Sequence, residues 1–149
     1  MPWDSSLSAG FTEARPWLPL GEDYPTRNVV NLSWQRDSIL TLYRTLIRLR
    51  RSNEALISGR LKGVVANGNI LRYERTDDVQ HFAILLNLGH EQEEISLERG
   101  RIVVSTYLDR EDDLFERNVS LRPSEGLIVN LTRSGSNTSY CSSDHFTRE

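Results

Sequence analysis

Cysteine occurs once in this chain, as Cys141. A lone cysteine closes no intrachain disulfide, which excludes the small disulfide-stapled scaffolds and fits a reducing compartment. No apolar run approaches the ~18–20 residues a membrane-spanning helix needs, and the first residues lack the charged-then-apolar pattern of a secretory leader. The expected location is cytoplasmic. Four sequons, at Asn31, Asn118, Asn130 and Asn137, keep an extracellular alternative open, since such sites matter only in secreted eukaryotic proteins.

Excess positive charge is lacking too. Lys and Arg number 18 against 21 Asp and Glu, a formal charge of -3 with a sequence pI near 5.7. Binders of nucleic acid or anionic membranes supply a basic patch that neutralises phosphates, so no nucleic-acid partner is expected. His81, His90 and His145 fall in a strand, a turn and the tail, without i, i+4 pairing or a second cysteine, so no metal is expected. The acidic run from Asp109 to Asp113 lacks the central glycine and terminal glutamate of a calcium loop and reads as a solvated connection. No Gly-rich phosphate loop and no Gly-x-Ser-x-Gly elbow occurs, so no cofactor is expected. Nor does any pair of carboxylates on convergent elements offer glycosidase chemistry, and the expected catalytic set is empty.

What is present begins with an aperiodic stretch. MPWDSSLSAGFTEARPWLPL holds two tryptophans and three prolines but repeats neither at 3.6 nor at 2, which predicts a long ordered loop. Long loops in compact proteins are uncommon and often functional. Then DSILTLYRTLIRLRRSN places Ile39, Leu42, Tyr43, Leu46, Ile47 and Leu49 at three- and four-residue steps, the pattern of an amphipathic helix from Asp37 to Ser52. Asp37 or Ser38 suits the N-cap. Arg48, Arg50 and Arg51 suit the negative end of the dipole, and a solvated helix end explains them better than a phosphate site.

Beyond Asn53 the pattern turns to short β runs. LKGVVA and NILRYER flank Asn67-Gly68, a hairpin signal. QHFAILLNLG has the continuous apolar character of a central strand covered on both faces. EEISLE, RIVVSTYL, VSLRP and GLIVNL follow at roughly ten-residue spacing with turn residues between, which predicts a mainly β fold, an antiparallel β-sandwich. From Thr132 onward too few apolar residues remain to offset ordering entropy.

The order and spacing of Met1-Pro2-Trp3-Asp4, Ala9-Gly10-Phe11-Thr12, Pro16-Trp17-Leu18-Pro19, Asp23-Tyr24, Asn28-Val29 and the helix ending Leu49-Arg50-Arg51 closely resemble the alpha-glucosidase and oligo-1,6-glucosidase branch of the alpha-amylase superfamily. The resemblance extends more weakly to about Leu131. It implies residues 1–53 as the last loop and last helix of a catalytic (β/α)8 barrel and 54–131 as an all-β C-terminal domain, while 132–149, without a counterpart there, is expected from its composition to be a disordered tail. The implied activity is a retaining hydrolysis or transfer at α-glucosidic bonds of short oligosaccharides or disaccharides. The catalytic Asp, Glu and second Asp of the family belong to earlier barrel strands, so this chain is expected to be inactive and structural. Trp3, Asp4 and Phe11 are what remains of the substrate-binding rim.

The implied partners are the catalytic barrel of the same protein and, in the intact enzyme, an α-glucoside. Self-association through the uncovered helix is also expected. Two alternatives are a noncatalytic carbohydrate-binding or scaffold module and a piece of the ectodomain of an amino-acid transporter heavy chain. The module would need an aligned row of exposed aromatics, and the β region offers Tyr73, Phe82, Tyr107 and Phe115, scattered along the chain.

Overall fold

Ser38 accepts a hydrogen bond on its hydroxyl from the Thr41 N–H at 3.2 Å, and the helix it caps, Ile39–Arg51, is the longest in the computed structural model of this chain. The structure describes residues 1–132. The predicted tail, with Cys141, His145 and the Asn137 sequon, lies outside the described residues apart from Thr132.

Where one helix was expected, the described residues form three: α1 (Val29–Trp34), α2 (Ile39–Arg51) and α3 (Glu54–Ile57). The two additions are a turn or so long, too short for a periodic signal to register. Each is held by a side-chain bond at its N-terminus, one from the neighbouring residue and one from a distant part of the chain. Asn28 caps α1 by accepting from Asn31 N–H at 2.9 Å, and Ala55 N–H at the start of α3 donates to the Gln80 side chain at 3.2 Å.

Eight strands follow: β1 (Arg60–Asn67), β2 (Ile70–Thr76), β3 (His81–Asn87), β4 (Glu93–Ser96), β5 (Gly100–Ser105), β6 (Leu114–Phe115), β7 (Asn118–Leu121) and β8 (Gly126–Leu131). The fold is mainly antiparallel β, in two sheets. The larger runs β1-β2-β3-β8-β5-β6 and the smaller pairs β4 with β7. The hairpin turn lies one residue later than expected, because Asn67 pairs with Ile70 and leaves Gly68-Asn69 as the loop. Gly68 supplies the positive φ of +56° at the first loop position, which suits a Gly-X turn rather than an Asn-Gly one. A second glycine at φ +56°, Gly63, sits in a bulge of β1 between Lys62 and Val65.

Strand alternation sorts the core into two layers. Ala83 and Leu85 of β3, Ile102 of β5 and Leu127, Val129 and Leu131 of β8 face the smaller sheet, where Ile95, Val119 and Leu121 complete the packing. Phe82 and Ile84 of β3 point the other way, onto Ala55 and Leu56 of α3, with Tyr73, Leu86, Val103 and Ile128 beside them. β3 is apolar from Phe82 to Leu86 because both its faces are covered, as its sequence predicted. β1 is exposed along its whole length.

Candidate functional site

The opening segment is built by backbone bonds that tie it to α1. A helix begins with N–H groups that have no partner inside it. Here Pro2 and Trp3 carbonyls accept from Val29 and Val30 N–H at 3.0 Å each, and Trp3 N–H donates to the Ala9 carbonyl at 2.9 Å. Residues 3–9 therefore close a loop on the end of α1. Ala9 and Gly10 take left-handed φ values of 52° and 72° to reverse the chain. Gly10 also needs the space, since a Cβ there would lie 2.9 Å from Trp3 Cβ and 3.0 Å from Asp4 Oδ2.

That packing sets the three expected rim residues. Asp4 Oδ1 accepts from Ser6 N–H at 2.9 Å, and hydrogen bonds from Ser6, side chain first and backbone second, hold the Asp4 carboxyl below the usual aspartate range. Trp3 is exposed beside it. Phe11 is exposed as well but lines a different surface, a groove of about 370 Å³ shared with Thr12, Pro16, Trp17 and Leu18. Trp3 and Asp4 thus meet at Gly10, while Phe11 joins Trp17. An ionised carboxylate and exposed rings are the residue types that accept bonds from sugar hydroxyls and cover a sugar's apolar face.

The helix α2 divides into two faces. Leu42 is buried, and Leu46 and Leu49 are half-buried. Ile39, Tyr43 and Ile47, at i, i+4 and i+8, are 59%, 61% and 49% exposed. Trp17 and Trp34, at 92% and 86%, extend the uncovered apolar surface of the first third of the chain.

The most buried charges lie elsewhere, in a cluster that sequence reasoning missed. Glu125 is fully buried in side chain. Its carboxylate accepts from Ser105 Oγ at 2.7 Å, from an Arg122 guanidinium N–H at 2.6 Å and from the Arg122 backbone N–H at 2.8 Å. Arg110 adds an ion pair at 3.4 Å. Burial pushes the Glu125 carboxyl up, but the Arg122 and Ser105 hydrogen bonds together outweigh it and leave its pKa below the ordinary value. Arg122 in turn grips Asp109 with two bonds of 2.7 Å and lies 4.2 Å from the centre of the Tyr107 ring. The only sequence signal was the compact Pro123-Ser124-Glu125-Gly126 turn, whose glutamate is ordinary in composition. Its partners sit 3 to 20 positions away.

Glu74 of β2 is similar. Desolvation opposes its ionisation, but bonds from Arg72 at 2.7 Å and His81 at 2.9 Å bring its carboxyl below the usual range. A glycosidase general acid must hold its proton near neutral pH, so its pKa must be raised. Glu74 and Glu125 are shifted the opposite way. Along the acidic run, Asp109, Asp112 and Asp113 pair with Arg122, Arg101 and Arg110. Among the described residues no group of three His, Cys, Asp or Glu side chains is placed to hold a metal ion. The four β-region aromatics do not form a row: Phe82 is in the core, Tyr73 and Phe115 are half-buried against it, and the Tyr107 hydroxyl donates to the Pro123 carbonyl at 2.9 Å.

Comparison with known proteins bears on the first part of the chain and then on all of it. Residues 1–59 match the alpha-amylase catalytic domain family. An oligo-1,6-glucosidase of Bacillus cereus is 32% identical over 138 residues, covering 88% of this chain and 24% of that protein. The chain belongs to the alpha-amylase superfamily. Within that superfamily it is also similar to the salivary alpha-glucosidase of Aedes aegypti, at 33% identity over 80% of this chain and 20% of the relative. An isomaltulose synthase structure from a Klebsiella species superposes with a TM-score of 0.77 over 88% of this chain and 24% of its own, at 23% identity, a likeness of fold. The chain spans about a quarter or less of the length of these relatives. No helix among the described residues is long and apolar enough to cross a membrane.

Proposed function

We propose that this chain is the C-terminal portion of a retaining glycoside hydrolase or transglucosidase that acts on α-glucosidic bonds of short oligosaccharides or disaccharides, and that the chain itself is structural. The carrying observation is the apolar surface left open in the stretch that matches the catalytic domain. Ile39, Tyr43, Ile47, Trp17 and Trp34 are each about half exposed or more. Burying a large apolar side chain is worth roughly 1.5–3 kcal/mol, so such a surface calls for a large cover. The catalytic barrel of the same protein is the proposed cover.

In the intact enzyme, Trp3, Asp4 and Phe11 would contribute to the rim of the α-glucoside site. The chain alone would self-associate through α2. Glucose release from maltose, sucrose, isomaltose or an aryl α-glucoside by the purified chain is expected at the level of a buffer blank, and release well above it refutes the reading. Sedimentation should show association that Tyr43→Ser with Ile47→Ser abolishes. A strictly monomeric unsubstituted chain would refute that part.

A further inference from the structure

The loop between β5 and β6, residues 106–113, returns to β5 at its far end, where Asp112 N–H donates to the Ile102 carbonyl at 2.9 Å and Ile102 N–H to the Asp113 carbonyl at 2.8 Å, and before that it is held by the β7–β8 connection. Thr106 exchanges bonds with Gly126, its N–H donating to the Gly126 carbonyl at 2.9 Å and its hydroxyl accepting from Gly126 N–H at 3.0 Å. Tyr107, Asp109 and Arg110 then all turn toward the β7–β8 connection, where Arg122 and Glu125 receive them. Arg110 donates as well to the Ser120 carbonyl at 2.8 Å. Leu108 and Glu111 are left out of that clasp. They line, with Thr41 and Thr45 of α2 and Arg36 before it, a small cleft of about 150 Å³ between the loop, β5 and the helix. Asp112 and Asp113 pair with Arg101 and Arg110, so the loop is gripped from behind by charge while Leu108 and Glu111 line the cleft beside α2.

Its conformation is one the loop does not favour by itself. Leu108 has φ 57° and Asp112 φ 71°, left-handed values that L-residues rarely adopt. Such geometry persists where the surroundings over-determine it. Here the surroundings are the bidentate Asp109–Arg122 pair, the Arg101–Asp112 pair at 2.9 Å and the fully buried Glu125, which bonds both Arg122 and Arg110. Glu125 is the only one of these acids with no solvent exposure, so water cannot take its place as acceptor.

We propose that Glu125, acting through Arg110 and Arg122, is a positioning residue that locks the 106–113 loop as the seat of helix α2, so that the helix depends on a carboxylate in the β-sandwich with which it makes no bond. The device couples the stretch that matches the catalytic domain to the β sheets. It stands on this chain's own contacts, whatever the activity of the longer protein.

Hydrogen exchange on the whole chain tests it, with Glu125→Gln, which keeps the shape and removes the charge. Amides of 106–113 and of the first turns of α2 should exchange roughly tenfold faster or more, the scale of losing a hydrogen bond to a charged group. Amides of β3 and β8 should be unchanged. If Glu125→Gln does not fold, Asp109→Asn decides: its carboxylate is half exposed, and its loss frees the loop from Arg122 while the buried bonds to Glu125 remain. Faster exchange confined to the loop and α2 supports the lock. Uniform loss of protection that includes β3 overturns it in favour of plain stabilisation. A loosened loop beside an unchanged α2 overturns it too, because the loop would then not be the seat.

Discussion

Replacing Leu85 with alanine should be among the most damaging single changes in this chain, whereas the same truncation at Val64 should be close to silent. Leu85 is 0% exposed and lies on β3 between Arg72 of β2 and Leu127 of β8, facing the smaller sheet. Truncation to alanine removes three carbons, worth about 2.4 kcal/mol at ~0.8 kcal/mol per buried methylene. Hydrogen-bonded strands on both sides limit collapse into the space, and leucine-to-alanine changes at such sites reach ~3–5 kcal/mol once the cavity is included. Val64, on the exposed edge strand β1, is 60% exposed, so Val64→Ala should cost about 0.5 kcal/mol or less. Urea unfolding followed by circular dichroism reads both. With a slope of ~1.5 kcal/mol per molar, Leu85→Ala should move the midpoint down by about 2 M, and Val64→Ala by about 0.3 M. If Val64→Ala cost more than half as much as Leu85→Ala, an unseen layer would cover β1 and the placement of the core would be wrong. A cost under ~1 kcal/mol at Leu85 would equally sink it.

Ser38→Ala removes the cap of α2 and the bond from its hydroxyl to the Leu32 carbonyl, and should cost ~1 kcal/mol, read as a lower thermal midpoint with faster exchange at Thr41. Acid should destabilise the chain in a definite window. The Glu125 and Glu74 carboxyls lie below their ordinary value of 4.5 when folded, so the unfolded chain binds more protons between the two values and stability rises with pH there. Their contribution is fully present above about pH 4.5 and is lost as pH falls through the folded values. Glu125→Gln should flatten that slope in unfolding measured from pH 6 downward, and an unchanged slope would show that Glu125 is not held ionised.

The β pattern, the helix α2 and the central strand were legible because each is a local periodicity. Apolar residues every three or four positions, or a continuous apolar run between turn residues, leave few alternatives for how a stretch of chain can bury them. The turn at Gly68-Asn69 was missed by one residue because Asn67-Gly68 satisfies the same local rule, and only the pairing of Asn67 with Ile70 separates them. α1 and α3 were invisible because what holds them is not periodic: the Asn28 cap and the Pro2 and Trp3 carbonyls for α1, and for α3 the Gln80 side chain, 25 positions from Ala55, with packing on Phe82 and Ile84 of β3.

For the candidate site the division is the same. Trp3, Asp4 and Phe11 stood out by resemblance, but sequence could not tell that Asp4 and Trp3 meet across Gly10 while Phe11 faces Trp17. The sequence by itself determined α2, most of the strands, the mainly β class and the superfamily, all of which are carried by neighbours along the chain. The tertiary structure alone decided which face of α2 is covered and that Glu125, one acid among many, sits fully buried between two arginines. The reason is physical: burial and charge pairing depend on what arrives from distant positions, and a carboxylate is retained without water only where the fold delivers its partners.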